Sequence, residues 1–190
     1  KPMMSYLLET LVQVKQIDEV YVYCSSPSIR EYLPEGVKFL QRDTRLDSNE
    51  TLGAEIYDAF TSEVDADIYI LAHTTSPFIR TATIEEALRK VECEGYDSAF
   101  SAKKEQSFAW YEGQPLNYSL SHIPRTQDLE AVYIETSAFF IFRREVWTEE
   151  HRRIGNNPYM AVTDRIESID IDNPDDFLLA EAIVAAGLNK

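Results

Sequence analysis

The chain has 190 residues, enough for one domain with a sizeable core, and its 44% apolar and 27% charged content is ordinary for a globular protein. A formal net charge of −15 opposes nucleic acid and anionic membrane surfaces as partners. No apolar run is long enough to span a bilayer and no signal-peptide pattern is present.

The expected elements follow in chain order. Met4 to Lys15 carries apolar residues at helical spacing (Met4, Leu7, Leu8, Leu11, Val14) and predicts an amphipathic helix. The chain opens Lys1-Pro2-Met3 at the start of that helix, so residues ahead of it are expected. Glu19 to Cys24 is rich in β-branched and aromatic residues and predicts a strand. A short helix starts at Ser26-Pro27, a short strand covers Val37 to Leu40, and Arg42 to Asn49 is a polar loop. Glu50 to Val64 is a helix with Leu52, Ile56, Ala59 and Phe60 facing inward. Asp67 to Ala72 is nearly all apolar, the pattern of a parallel strand buried on both faces. It runs into His73-Thr-Thr-Ser-Pro-Phe-Ile-Arg80, a loop rich in hydroxyls, and then a helix from Thr83 to Cys93. Asp97 to Ala102 is a further strand, ending at Lys103-Lys104.

From Glu105 to Glu130 no clean period survives, and an irregular stretch of that length points to function or an interface. Val132 to Arg143 predicts a long strand, Glu145 to Glu150 a short helix, and His151 to Pro158 a basic loop. Arg165 to Asp172 reads as a short strand that puts Ser168, Asp170 and Asp172 on one face and Ile169 and Ile171 on the other. Asn173 suits a helix N-cap and Pro174 the first helical position, with Asp175 and Asp176 favoured in the first turn by the helix dipole. Gly187 closes that last helix. Strands alternating with helices predict an α/β sandwich, whose ligand crevice lies beyond the carboxyl ends of the strands. Ser25, His73 to Ser76, Lys103 and Asp172 all fall there.

Asp170 and Asp172 stand open to two readings. Adjacent carboxylates repel, and an oxygen-only pair suits Mg²⁺ or Mn²⁺; a solvated strand end with two exposed acids is the plain alternative. Arg125 can hold a carboxylate or phosphate with two parallel hydrogen bonds. For Lys104, Arg152 and Arg153 a surface ion pair is the preferred reading. The three histidines show no zinc-binding spacing. Cys24 and Cys93, without a CxxC, read as buried free thiols in a reducing cytoplasm. Gly-x-Ser-x-Gly, Gly-x-Gly-x-x-Gly and Walker sequences are all missing, which removes hydrolase-elbow, dinucleotide and P-loop readings.

HTTSPFIR (73–80), RTQDL (125–129) leading into a strand, and SIDIDNPDDFLLAEAI (168–183) together resemble the acylneuraminate cytidylyltransferases, along essentially the whole chain. The resemblance implies a three-layer Rossmann-like sandwich of the nucleotide-diphospho-sugar transferase type. Its sheet would be mostly parallel, and residues 105–134 would form a dimerisation arm. It implies Mg²⁺-dependent transfer of CMP from CTP to a sialic-acid-like 2-keto sugar acid in a cytoplasmic homodimer, with Mn²⁺ as the alternative ion. By match, Asp170 and Asp172 would hold the metal. Lys103, Arg125 and His73 would serve the reaction, while Ser25, Thr75, Ser76, Arg80, Gln127, Tyr133 and Glu135 would line the substrate. Where that family has Gln-Pro, this chain has His73-Thr74, and Tyr23-Cys24-Ser25 replaces its Ser-Thr-Asp. The family's N-terminal strand and its CTP-binding loop are not found in this sequence. That keeps an inactive sugar-acid-binding or dimerisation module of the same fold as the competing expectation.

Overall fold

A computed structural model describes residues 1–189. Helix α1 (Met4–Gln13) is followed by β1 (Val20–Cys24), β2 (Val37–Gln41), α2 (Gly53–Glu63), β3 (Ile68–Ala72) and α3 (Thr81–Cys93). Then come β4 (Ser98–Glu105), the short pair β5 (Trp110–Tyr111) and β6 (Gln114–Pro115), and β7 (Val132–Arg143). Helix α4 (Arg144–Glu150), β8 (Pro158–Thr163) and α5 (Pro174–Ala185) complete the chain.

The main sheet has the order β3-β7-β4-β8. β7 runs against β3 and β4, while β8 lies parallel to β4, so three of the four strands point the same way. β1 and β2 pair in parallel as a separate two-stranded sheet. The period-2 alternation of β7 makes the layers. Phe139 and Ile141 turn toward α1 and α3, and Phe140 and Phe142 toward α2 and α4, while Ala138, in an irregular part of the strand, joins the first side. Leu7, Leu8, Leu11 and Val14 meet Ile84, Leu88 and Val91 in the first layer. Tyr57, Phe60, Val146 and Trp147 fill the second. Each buried aromatic or aliphatic side chain here contributes about 1.5–3 kcal/mol relative to exposure.

Several sequence expectations need correction. β3 was expected as a parallel strand buried on both faces; its ladder is antiparallel, to β7, and most of it stays half-buried. Apolarity reports burial, not the direction of the neighbour. Arg165 to Asp172 is not a strand: residues 165–168 form a turn, and the strand in this region is β8, upstream. Ile169 and Ile171 still pack inward, against Phe78, Ala180 and Ile183. Leu52 precedes α2 and is exposed rather than inward-facing. Both cysteines are free among the described residues, but Cys93 is exposed and Cys24 half-buried, not buried. No described helix is long and apolar enough to cross a membrane.

The irregular stretch has more order than its sequence suggests. Glu112 and Gly113, both at positive φ, make the two-residue turn between β5 and β6. Asn117 ties the segment together, accepting from the Ala109 amide at 3.0 Å and donating to the carbonyls of Ser107 and Glu130 at 2.9 Å each. Phe108 and Trp110 pack edge-on against Tyr118, yet Phe108, Trp110, Tyr111, Leu116, Leu120 and Ile123 remain exposed.

Candidate active site

The loop after β3 is drawn into a tight turn by the bond from the Ser76 amide to the His73 carbonyl, 3.0 Å. Ser76 is 1% exposed, and Phe78 and Ile79 behind it are buried, so this hydroxyl loop is anchored rather than free. The segment before α5 lies against it. The Ile171 amide donates to the Thr75 carbonyl at 2.9 Å, and Ser76 Oγ approaches Asp170 Oδ1 at 3.5 Å, the outer limit of a hydrogen bond. Asp170 is half-buried and Asp172 exposed. Asp176 accepts the amides of Asp172 and Asn173 at 3.1 and 2.9 Å, which holds its carboxyl below the usual range and closes the first turn of α5.

A β-bulge frames the other side. Ser101 alone stands opposite residues 136–139 of β7, and Ser137 adopts a left-handed conformation. The buried Ser101 hydroxyl accepts from Thr136 Oγ1 at 2.8 Å and from the Phe139 amide at 3.2 Å, which ties the extra residues down. Beside the bulge the His73 amide donates to the Ala138 carbonyl at 3.0 Å, and Phe140 lies edge-on to the His73 ring, centroids 6.2 Å apart. Burial lowers the His73 pKa, and the Arg153 guanidinium pushes the same way, against weaker opposition from Asp170 and Ser137. A lowered pKa favours the neutral imidazole, the form that can accept a proton.

The remaining expected site residues are placed as follows. Arg80 pairs with Asp164 at 2.6 Å and with the buried Glu167 at 3.3 Å. Lys103 faces Glu105 at 3.5 Å across the edge of β4. Arg125 is largely exposed and grips Asp128 through two nitrogens, at 2.7 and 3.2 Å. Gln127 is exposed, its carbonyl accepting from Gln106. Tyr133 and Glu135 are exposed on the first half of β7. Ser25 follows β1, its carbonyl accepting from Gln41 Nε2 at 2.7 Å. Thus the structure joins His73, Thr75, Ser76 and Asp170 directly, while the recorded contacts of Ser25, Arg125 and Gln127 lie elsewhere. Arg153, expected in a surface ion pair, does pair with Glu135 at 3.3 Å, and its guanidinium also rests on Phe140, the ring that His73 meets. In the sequence it looks like its neighbour Arg152, which pairs with Glu150 on the surface. Only the stacking of the Arg153 guanidinium on Phe140 distinguishes the two.

A Mg²⁺ ion typically takes one or two carboxylates and completes its octahedron with water and substrate phosphates. By residue type Asp170 and Asp172 suit that donor set, though the strand that would have put both on one face is not formed, and no cluster of three or more His, Cys, Asp or Glu is gathered among the described residues. Neither carboxylate has an ion pair among the described residues: Arg80 pairs with Asp164 and Glu167, and Arg153 makes one 3.3 Å contact to Glu135.

A family model described as cytidylyltransferase matches residues 1–183. The chain belongs to the cytidylyltransferase family. It is 25% identical over 191 residues to the N-acylneuraminate cytidylyltransferase of Oncorhynchus mykiss, covering 95% of this chain and 44% of that protein. It is 24% identical over 195 residues to the enzyme of the same name from Streptococcus agalactiae serotype III, covering 94% and 46%. The chain thus spans less than half the length of these curated relatives. Among solved structures it is similar to a CMP:2-keto-3-deoxy-manno-octonic acid synthetase complexed with CTP. That match has a TM-score of 0.68 at 16% identity and covers 98% of this chain and 89% of that one. The 4-diphosphocytidyl-2C-methyl-D-erythritol synthase of Anaerococcus prevotii matches with a TM-score of 0.67 at 12% identity, covering 96% and 89%. These likenesses bear out the Rossmann-like nucleotidyltransferase fold.

Proposed function

We propose that this cytidylyltransferase-family chain moves CMP from CTP to the anomeric hydroxyl of a sialic-acid-like 2-keto sugar acid, as part of a cytoplasmic homodimer. The observation that carries the reading is the meeting of the His73–Ser76 turn with Asp170 at the carboxyl ends of the strands, in a chain matched to the family along nearly its whole length. The sugar's anomeric oxygen attacks the α-phosphorus of CTP, the bond to the bridging oxygen of the β-phosphate breaks, and pyrophosphate leaves. Asp170 and Asp172 would hold Mg²⁺, with Mn²⁺ as the alternative. When bound, that ion supplies charge neutralisation for the triphosphate and the departing pyrophosphate. His73, half-buried and with its pKa lowered by burial, would offer a ring nitrogen to the proton of the attacking hydroxyl. Thr75 presents its hydroxyl to the substrate, the buried Ser76 acts through Asp170 rather than on the substrate, and Tyr133 and Glu135 would border the substrate from β7. Lys103 and Arg125 are cations for its anionic groups, Arg125 once it exchanges Asp128 for substrate. Arg80 supports the loop through its two acids, and Gln127 and Ser25 would complete the pocket.

The test is pyrophosphate release from CTP and Mg²⁺ with a panel of 2-keto sugar acids. Release is expected with at least one acid, falling roughly a hundredfold or more in Asp170→Asn and Asp172→Ala. Release unaffected by either substitution, or none with any acid, would count against the reading.

A further inference from the structure

Arg153 shares the Phe140 ring with His73, and it is held there by more than one device. Its guanidinium rests on the ring of the fully buried Phe140, 3.8 Å from the centroid. His73 packs on the same ring. Ile154, the next residue, is part of the aromatic layer with Phe140, Phe142 and Trp147. The loop beyond it is clamped by Asp97, whose Oδ2 accepts the amides of Asn156 and Asn157 at 2.7 and 2.8 Å. The Gly155 amide donates to Ser98 Oγ at 2.8 Å, and a Cβ on Gly155 would collide with the Asp97 carboxylate. Arg153 is therefore set on a pinned loop above a rigid ring, where little side-chain entropy remains to be lost on binding.

Its pairing is incomplete. The recorded partner is Glu135, through one nitrogen at 3.3 Å, longer than the usual 2.7–2.9 Å of a charge-assisted bond. A guanidinium has five N–H donors. By contrast Arg80 and Arg125 each make two contacts to acids. The Phe140 ring carries both Arg153 and His73, and the His73 turn meets Asp170 through Ser76, so the cation stands at the edge of the cluster that holds the carboxylate.

We propose that Arg153 is the anion anchor of this site, its guanidinium binding an oxyanion of the substrate, either the sugar-acid carboxylate or a CTP phosphate, over the face of Phe140. This rests on the cytidylyltransferase reading above. In a chain with a net charge of −15, an anionic substrate needs a local cation placed in advance, and Arg153 is one the fold holds in position. The Phe140 ring excludes water from one face of the guanidinium, which strengthens its remaining hydrogen bonds. Glu135 then keeps the guanidinium oriented until an oxyanion offering two oxygens displaces it.

Calorimetry with Mg²⁺ present separates the outcomes. N-acetylneuraminic acid, its methyl ester, 3-deoxy-manno-octulosonic acid and CTP are titrated into wild type, Arg153→Gln and Arg153→Lys, with thermal melting as the folding control. Arg153→Gln is expected to weaken binding of the oxyanion-bearing ligand roughly tenfold to a hundredfold, with Arg153→Lys in between, because lysine keeps the charge and loses the fork. A loss confined to the free acids, matched by weak binding of the methyl ester to wild type, assigns the carboxylate; a loss confined to CTP assigns a phosphate. Arg153→Gln indistinguishable from wild type for every ligand that wild type binds would overturn the inference alone. Wild type binding none of the acids and no CTP would overturn it together with the functional reading on which it stands.

Discussion

At the scale of single residues, Asp97 shows how a carboxylate can serve a site it never touches. Burial pushes its pKa up, but the Ser98 hydroxyl and the amides of Asn157 and Asn156 outweigh burial and hold it below the usual value. A carboxyl with a depressed folded pKa contributes stability that is fully present above the unfolded value of about 4, and loses it as pH falls through the folded value. Asp97→Asn is therefore expected to be less stable than wild type at pH 7. Its stability should also fall less steeply with acid, read from urea midpoints between pH 7 and pH 3. Parallel pH profiles for the two proteins would show that the clamp does not depend on ionisation. None of this was legible in the sequence, where Asp97 only opened a strand. Its partners are 59 and 60 residues away, and long-range hydrogen bonds leave no periodic trace.

At the scale of elements, the start of α3 is capped from another part of the chain. Arg80, at the N-cap, has no side-chain cap bond. Instead Glu167, 4% exposed, accepts from the Arg80 amide at 2.9 Å and from Thr83 Oγ1 at 2.6 Å. A carboxylate at a helix N-terminus also meets the positive end of the dipole. Because the same contact locks the end of the hydroxyl loop against the 164–172 segment, it links helix stability to the placement of Thr75, Ser76 and Asp170. Glu167→Ala should cost about 1–3 kcal/mol by leaving buried donors unpaired, seen as a lower urea midpoint with an unchanged slope. An unchanged midpoint would mean that water replaces the carboxylate at no cost. The sequence placed the helix but not its cap, since no capping residue precedes Thr81. The short strand expected at 165–172 failed for a related reason: alternating Ile and Asp satisfy a period of two whether or not a neighbour pairs with the backbone.

At the scale of the whole molecule, two apolar surfaces stay open. The 105–134 arm exposes Trp110, Tyr111, Leu116, Leu120 and Ile123, and α5 buries only Ala180 and Ile183 while Phe177, Leu178 and Leu179 face outward. For the arm, a second copy of this chain is the proposed partner. Sedimentation at micromolar concentration should give the mass of two chains, and Trp110→Ser combined with Leu120→Ser should shift it toward one. A single-chain mass for the wild type would remove the proposed dimer.

The sequence alone determined the order of most elements and the length of β7. It also determined the apolar faces of α1 and α3 and the fold family, because periodicity and short motifs are written locally. It marked the 73–80 loop and Asp170 as candidates. Tertiary structure decided which candidates meet, that β3 pairs antiparallel, and that Arg153 rather than Arg152 shares the Phe140 ring with His73. Those outcomes depend on which of several chemically equal side chains a packed core leaves room for, and only the folded chain makes that choice. The 165–172 stretch kept its inward isoleucines and its acids but lost its ladder, since a strand is defined by its neighbour as much as by its own residues.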